Sequence, residues 1–160
     1  MNKTLLLDKI LTSLEAKREL AINAAMEAYN TATADENIAE NKYDTLGLEA
    51  SYLAQGQAQR VAEIEDDIAA YKSLMNNISL NSGLITLGSL VHIVDEKGAA
   101  QTLFLGPKAG GLSIYDNELE IKIITPHSPI GAALLKRQQD DEFELNIAGN
   151  SHNYEILEVN

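Results

Sequence analysis

The sequence predicts an α+β fold in which an antiparallel two-helix coiled-coil hairpin is followed by a small antiparallel β-sheet domain with one helix. The first half carries apolar residues at heptad spacing, whereas the second half changes to short apolar runs separated by turn residues. An Asn, Ser and Gly-rich stretch separates the two patterns. We therefore predict a hairpin over residues 1–78, a linker over 79–83 and a sheet domain over 84–160.

The hairpin is predicted from two mirrored sets of apolar or small residues, which together are called the seam. The first set is Leu7, Ile10, Leu14, Ala21, Ala24 and Ala28, and the second is Ala50, Ala54, Val61, Ile64, Ile68 and Tyr71. Each set keeps a 3–4 heptad step with one interruption. When the chain is folded about residue 39, position 7 lies opposite 71, 14 opposite 64 and 28 opposite 50. Such a mirrored pattern is typical of an antiparallel hairpin, because each seam residue needs a partner from the returning helix.

The seam also predicts that the hairpin narrows. A first helix over about residues 5–36 would be roughly 45 Å long at the α-helical rise per residue. Its seam is made of leucine and isoleucine near the base but of alanine toward the turn. Alanine lets two helix backbones approach closely, so we expect a slender end that could enter a narrow opening.

The turn of the hairpin is rich in carboxylates. The tip segment, defined as residues 35–44, contains Asp35, Glu36, Glu40 and Asp44. If the second helix begins within residues 40–44, Glu40 and Asp44 lie one turn apart on the same face. Two carboxylates so placed can share Mg²⁺, which takes one or two protein carboxylates and fills its other positions with water or phosphate. The alternative, that these acids only cap and solvate a helix start, stays open.

Composition excludes several functional classes. The chain has 160 residues, 45% of them hydrophobic, and no cysteine, so disulfides, thiol chemistry and Cys-bound zinc are excluded. The absence of cysteine fits a reducing cytoplasm. The apolar run at residues 5–7 is too brief for a signal peptide or a membrane span. We therefore expect a cytoplasmic protein without membrane association.

Charge argues against direct recognition of nucleic acid. Residues 1–80 hold 7 Lys and Arg against 13 Asp and Glu, and residues 81–160 hold 5 against 11. Phosphate neutralisation by basic side chains supplies much of the affinity for DNA and RNA, so sequence-specific binding is not expected. An acidic hairpin instead suits a basic protein surface or a cation-lined channel. Acidity that only keeps the protein soluble is the alternative interpretation.

The second half reads as strands with one short helix. The predicted strands are Leu90–Val94, Gln101–Leu105, Leu119–Ile124, Phe143–Ile147 and Tyr154–Val159. The residues between 95 and 98 predict a turn that joins the first two strands, and Gly149 with Asn150 predicts another that joins the last two. Ser128 followed by Pro129 predicts an N-cap and a first helical position, so a short helix is expected there.

Taken together, these residues resemble the bacterial Gre transcript-cleavage factors. The resemblance covers nearly the whole chain and is strongest in the second domain. It rests on residues 128–135, which read Ser-Pro-Ile-Gly-Ala-Ala-Leu-Leu, on residues 140–144, Asp-Asp-Glu-Phe-Glu, and on residues 88–91, Gly-Ser-Leu-Val. The order and spacing of these segments behind an acid-tipped hairpin are far more specific than any one of them.

The resemblance implies a partner and a role. Gre-like proteins dock an FKBP-like second domain on the rim of the RNA polymerase secondary channel and pass the hairpin toward the catalytic centre. The polymerase then hydrolyses backtracked RNA itself, with tip acids helping to hold Mg²⁺, so the resemblance implies an accessory factor rather than an enzyme. The residues at the matching positions are Glu40, Asn41 and Asp44 at the tip, with Glu40 and Asp44 as metal ligands only in the complex, and His127, Ser128, Pro129 and Ile130 in the rim-contact loop. No cofactor is expected in the free protein.

Two departures from the family pattern keep a second function open. The family places its two tip acids three positions apart, and at that interval this sequence has Asn41 and Asp44. The acid that usually precedes the Ser-Pro pair is His127 here. The alternative is therefore a channel-occupying regulator that inhibits or competes without stimulating cleavage. A prolyl isomerase is disfavoured, because such pockets are lined by aromatic side chains and residues 81–160 contain no Trp.

Overall fold

The computed structural model describes residues 2–40, 45–77, 83–147 and 149–160. The chain divides into two compact units, one formed by Leu11–Ala69 and the other by Met1–Ile10 with Ala70–Asn160. The first unit is helical and contains most of the hairpin. The second contains the sheet together with the ends of the two long helices. The predicted linker lies largely outside the described residues, and the predicted boundary there stays a prediction.

Two helices of 31 residues each form the hairpin, with α1 spanning Lys3–Thr33 and α2 spanning Leu46–Asn76. At the start of α1, the side-chain oxygen of Asn2 accepts a hydrogen bond from the backbone N–H of Thr4 at 2.9 Å. That bond satisfies one of the backbone donors that a helix start leaves unpaired. Each helix is about 46 Å long at 1.5 Å per residue.

Burial along the two helices follows the predicted seam. The buried residues of the helical unit are Leu14, Ala21, Ala28, Ala50, Ile64 and Ile68, and every one of them is a predicted seam position. Leu7, Ile10 and Tyr71 in the other unit are buried as well. The buried side chains thus change from leucine and isoleucine to alanine toward the turn. The sizes of the buried residues therefore follow the predicted order, and the narrowing of the hairpin itself stays a prediction.

The helices of the hairpin run antiparallel. Arg18 of α1 is hydrogen-bonded to Glu65 of α2, with 2.8 Å between Nε and Oε1. Nearer the turn, Thr31 of α1 and Leu46 of α2 line the same groove. Residue numbers therefore rise on one helix as they fall on the other. The hydrogen bond to the Glu65 carboxylate also raises the pKa of the Arg18 guanidinium above its ordinary value.

The second half forms a six-stranded sheet in the order β3-β4-β2-β1-β6-β5. The strands are β1 Leu90–Asp95, β2 Ala100–Leu105, β3 Ser113–Asp116, β4 Leu119–Ile124, β5 Glu142–Ile147 and β6 Asn150–Val159, and helix α3 spans Pro129–Leu134. The predicted hairpins β1–β2 and β5–β6 are both present. The predicted fold class, a helical hairpin followed by a sheet domain with one helix, is confirmed.

The predicted antiparallel sheet is instead mixed, because β2 and β4 pair in parallel. The chain leaves β2 through Gly106 and Pro107 and returns along the sheet edge as β3, a four-residue strand that the sequence reading missed. After a turn at Asn117, β4 enters the space between β3 and β2. The residues between β2 and β4 supply the connection of about a dozen residues that a parallel pair requires.

One face of the sheet and α3 enclose the core of this domain. The core contains Val91 and Ile93 of β1, Leu134 of α3, and further apolar residues of β2, β5 and β6. On the opposite face, Leu90, Phe104 and Ile121 are buried too. Both faces of the sheet therefore bury large side chains.

Candidate functional site

The chain leaves α1 through a short 3₁₀ turn over Asp35–Asn37. The backbone N–H of Asn37 donates to the carbonyl of Ala34 at 3.0 Å, and the Asn37 side chain donates to the carbonyl of Thr31 at 3.0 Å. The second bond satisfies one of the carbonyl groups that the end of α1 leaves unpaired. Helix α1 therefore ends at Thr33, three residues before the predicted end.

The second helix begins at Leu46, so the premise that it begins within residues 40–44 is wrong. Thr45 precedes the helix. Its carbonyl accepts the first helical hydrogen bond from Glu49 N–H at 2.8 Å, and its hydroxyl donates to Glu49 Oε1 at 2.9 Å. Heptad spacing alone does not reveal the residue at which this helix starts.

Glu40 is the one member of the predicted metal pair within the described part of the chain, and its side chain is exposed. It does not lie on α2. Asn41 and Asp44 fall outside the described residues. Across the described ranges, no three His, Asp or Glu side chains are grouped in a way that could hold a metal ion. The Mg²⁺ site at Glu40 and Asp44 thus stays a prediction.

The predicted rim-contact loop precedes α3 in the sheet domain. The Ser128 hydroxyl donates to the carbonyl of Thr125 at 2.7 Å and accepts from Gly131 N–H at 3.2 Å. Ser128 is therefore the N-cap of α3, and Pro129 occupies its first position, as predicted. Both roles hold the loop in one conformation.

The structure separates the four predicted rim-contact residues by role. His127 and Pro129 are exposed. Ile130 is half-buried and packs against the core, and the hydroxyl of Ser128 is occupied by the cap. The surface that this loop offers to a partner therefore consists of His127 and Pro129, which Ser128 and Ile130 hold in place. Polymerase contact by any of the four stays a prediction.

Gly131 explains why this loop is tight. A Cβ at this position would lie 1.9 Å from the carbonyl oxygen of Thr125, which is a backbone atom that cannot swing away. Only glycine allows the first turn of α3 to pack so closely on the preceding loop. The conformation that exposes His127 thus depends on a residue with no side chain.

Sequence reasoning missed the contacts that join the helix ends to the sheet domain. The Tyr71 hydroxyl donates to the carbonyl of Lys108 at 2.9 Å, and Lys9 Nζ lies 2.6 Å from Asp116 Oδ1. A Cβ on Gly106 would lie 2.1 Å from the Tyr71 hydroxyl oxygen. The one sequence signal was a tyrosine at the end of an otherwise aliphatic or small-residue seam, since a buried hydroxyl needs a partner.

Among the helices in the described ranges, none combines the length and the apolar character that crossing a membrane requires.

Comparison with known proteins identifies the family. Residues 80–160 match the family model described as the C-terminal part of the transcription elongation factor GreA/GreB. The transcription elongation factor GreA of Bartonella tribocorum is 30% identical over 136 residues, which are 84% of this chain and 80% of that protein. GreA of Bartonella henselae is 32% identical over 117 residues, 69% of each protein. The crystal structure of GreA factor homolog 1 (Gfh1) from Thermus thermophilus aligns over 94% of both chains with 21% identity and a TM-score of 0.39. By the family match and the relatives at 30% identity or more, the chain belongs to the GreA/GreB family of transcription elongation factors.

Proposed function

We propose that this protein acts in the cytoplasm, where it binds RNA polymerase and inserts its helical hairpin into the secondary channel to modulate elongation. Membership of the GreA/GreB family supports RNA polymerase as the partner. The proposed insertion is supported by the seam of the hairpin. The seam buries Leu14 and Ile64 toward one end and only Ala28 and Ala50 toward the turn. Small seam residues allow the helices to lie close together where a channel would be narrowest.

We propose that the tip segment acts on the polymerase active site rather than as an active site of its own. Glu40 is exposed and has carboxylate chemistry suited to Mg²⁺, and Asp44 is the candidate second ligand. A magnesium ion held there jointly with the polymerase would orient a water molecule and offset charge that develops on the RNA phosphate. The role of this chain is then to deliver carboxylates, and hydrolysis stays with the polymerase.

The docking surface in this proposal is the exposed pair His127 and Pro129. Binding is tested by co-elution of the purified protein with core polymerase at micromolar concentration. The variant His127→Ala should weaken binding, whereas Lys97→Ala, a change at the exposed β1–β2 turn, should leave it unchanged. Absence of co-elution by the unmodified protein would overturn the proposed partner.

The role of the tip segment is tested with stalled complexes that hold backtracked RNA. The protein should shorten the RNA, and Asp44→Asn or Glu40→Gln should abolish shortening without loss of polymerase binding. Glu63→Gln is the matched control, because Glu63 is an exposed carboxylate on the hairpin away from the turn. Full RNA cleavage in the presence of the tip variants would show that the carboxylates of Glu40 and Asp44 do not take part in cleavage.

A second function, channel occupancy without cleavage, is favoured by Asn41, which removes a negative charge at a position where the family pattern has an acid. Competition distinguishes the two functions. Added to a cleavage reaction driven by an authentic cleavage factor, a competitor slows RNA shortening, whereas a second activator does not.

A further inference from the structure

The turn half of the hairpin contains an apolar groove between its two helices. The interhelix groove is lined by Ala24, Glu27, Ala28 and Thr31 of α1 and by Leu46, Glu49, Ala50, Leu53 and Gln57 of α2, and it has a volume of about 440 Å³. It lies wholly within the helical unit. No part of the proposed tip chemistry or of the loop before α3 uses these residues.

The groove exists because the seam is made of alanine here. Ala28 and Ala50 are buried at its floor, whereas Leu46 and Leu53 at its side keep 50% and 55% of their surface exposed. Larger side chains at positions 28 and 50 would project into the groove, whereas alanine leaves about half of each leucine side chain exposed beside it. Apolar surface left in water is unfavourable by roughly 25 cal/mol per Å². Covering the groove with another apolar surface therefore lowers the free energy and favours binding.

The spacing of the lining residues favours a helix as the occupant. Leu46, Ala50 and Leu53 lie on one face of α2 at positions i, i+4 and i+7. On α1, the groove extends from Ala24 to Thr31, which is about two helical turns or roughly 10 Å. A groove of this direction and length matches an amphipathic helix that places its apolar residues at the same spacing.

The acidic charge of the groove favours a basic helix as the occupant. Glu27 and Glu49 belong to the lining of the groove. The unit Leu11–Ala69 has four basic residues against twelve acidic ones, and the whole chain has a net charge of −12. A second copy of this chain would bring like charge against the groove, which opposes association. The complementary occupant is a helix with Lys or Arg beside its apolar face.

We propose that the interhelix groove binds a basic amphipathic helix of a partner protein, with apolar side chains covering Leu46 and Leu53 and basic side chains beside Glu27 and Glu49. That RNA polymerase supplies this helix rests on the proposed function. The groove itself is testable without polymerase.

The probe is an amidated, fluorescein-labelled 18-residue peptide with a leucine face flanked by lysines, and its control is a scrambled peptide of the same composition. The full-length protein should bind the amphipathic peptide more tightly than the scrambled one. The double change Leu46→Ala and Leu53→Ala should weaken binding about tenfold, since each change removes apolar contact area. Alanine is a good helix former, so the variant should keep its helical circular dichroism.

Leu48→Ala is the matched control. Leu48 lies on the same helix and is 56% exposed, but it does not line the groove. Glu27→Gln should weaken binding more than Glu19→Gln, which removes an equal charge elsewhere on α1. Equal affinity for the scrambled peptide, or equal losses in the Leu48 and the double variant, would overturn the groove as a binding site.

The same variants then test the source of the helix. If the unmodified protein binds core polymerase and the Leu46 and Leu53 variant binds several-fold more weakly, the polymerase supplies the helix. If that variant binds polymerase as well as the unmodified protein, the helix comes from another partner, while His127→Ala still reports on the proposed docking surface.

Discussion

At the scale of single residues, two glycines hold backbone segments where any side chain would collide. Gly131 leaves no room for a Cβ beside the carbonyl of Thr125, and Gly106 leaves none beside the hydroxyl of Tyr71. Neither role is visible in the sequence, because each close approach depends on the path of the folded backbone, which brings Thr125 beside Gly131 and Tyr71 beside Gly106. The N-cap Ser128 and the proline after it were predictable, since capping depends on neighbours in the chain.

Gly131→Ala should lower the free energy of unfolding by roughly 1–3 kcal/mol, because the new Cβ forces the first turn of α3 away from Thr125. Gly56→Ala is the matched control, since a Cβ at Gly56 meets nothing within 4 Å. That change in a helix interior should instead stabilise by about 0.5–1 kcal/mol. Urea unfolding followed by circular dichroism measures both, and a shift of the same sign in both variants would contradict this account.

At the scale of elements, the seam determined the two long helices and the strands followed from short apolar runs. The ends of the helices were less predictable: α2 begins at Leu46, and heptad periodicity does not show at which residue a helix starts. The edge strand β3 was missed because four residues with one buried side chain give little pattern. The parallel β2–β4 pair was missed because strand order depends on contacts distant in sequence.

Leu14→Ala tests the seam as the source of hairpin stability. Leu14 is only 2% exposed, so its truncation should lower the free energy of unfolding by about 2–4 kcal/mol through lost burial and a cavity. Leu20→Ala on the same helix changes a side chain that is 70% exposed and should stay within about 0.5 kcal/mol of the unmodified protein. Thermal unfolding monitored by circular dichroism at 222 nm compares the two variants. Equal losses in the free energy of unfolding would refute the assignment of Leu14 to the seam.

At the scale of the whole molecule, both halves of the chain are acidic and the net charge is −12. Such a charge favours approach to cationic protein surfaces and opposes approach to nucleic acid. The charge of the molecule was readable from composition alone. The identity of the surface that meets it was not, because composition does not locate exposed side chains such as His127.

If the acidic hairpin meets cations on the polymerase, affinity should fall as salt rises. We expect about a tenfold loss between 50 and 300 mM NaCl, because the Debye length shrinks over this range and screens the attraction. Fluorescence anisotropy with labelled protein measures the loss, and a DNA duplex serves as a control that should not bind. Affinity that is constant or rises with salt would show that charge does not drive the association.

The alanine half of the seam has one further consequence. Because Ala28 and Ala50 bury far less apolar surface than Leu14 and Ile64, separating the two helices near the turn requires less free energy than separating them farther along. Backbone amides around Ala28 should then exchange with deuterium through small, local openings while those around Leu14 stay protected. The helix segments around Ala28 and Ala50 should thus open locally without unfolding of the rest of the protein.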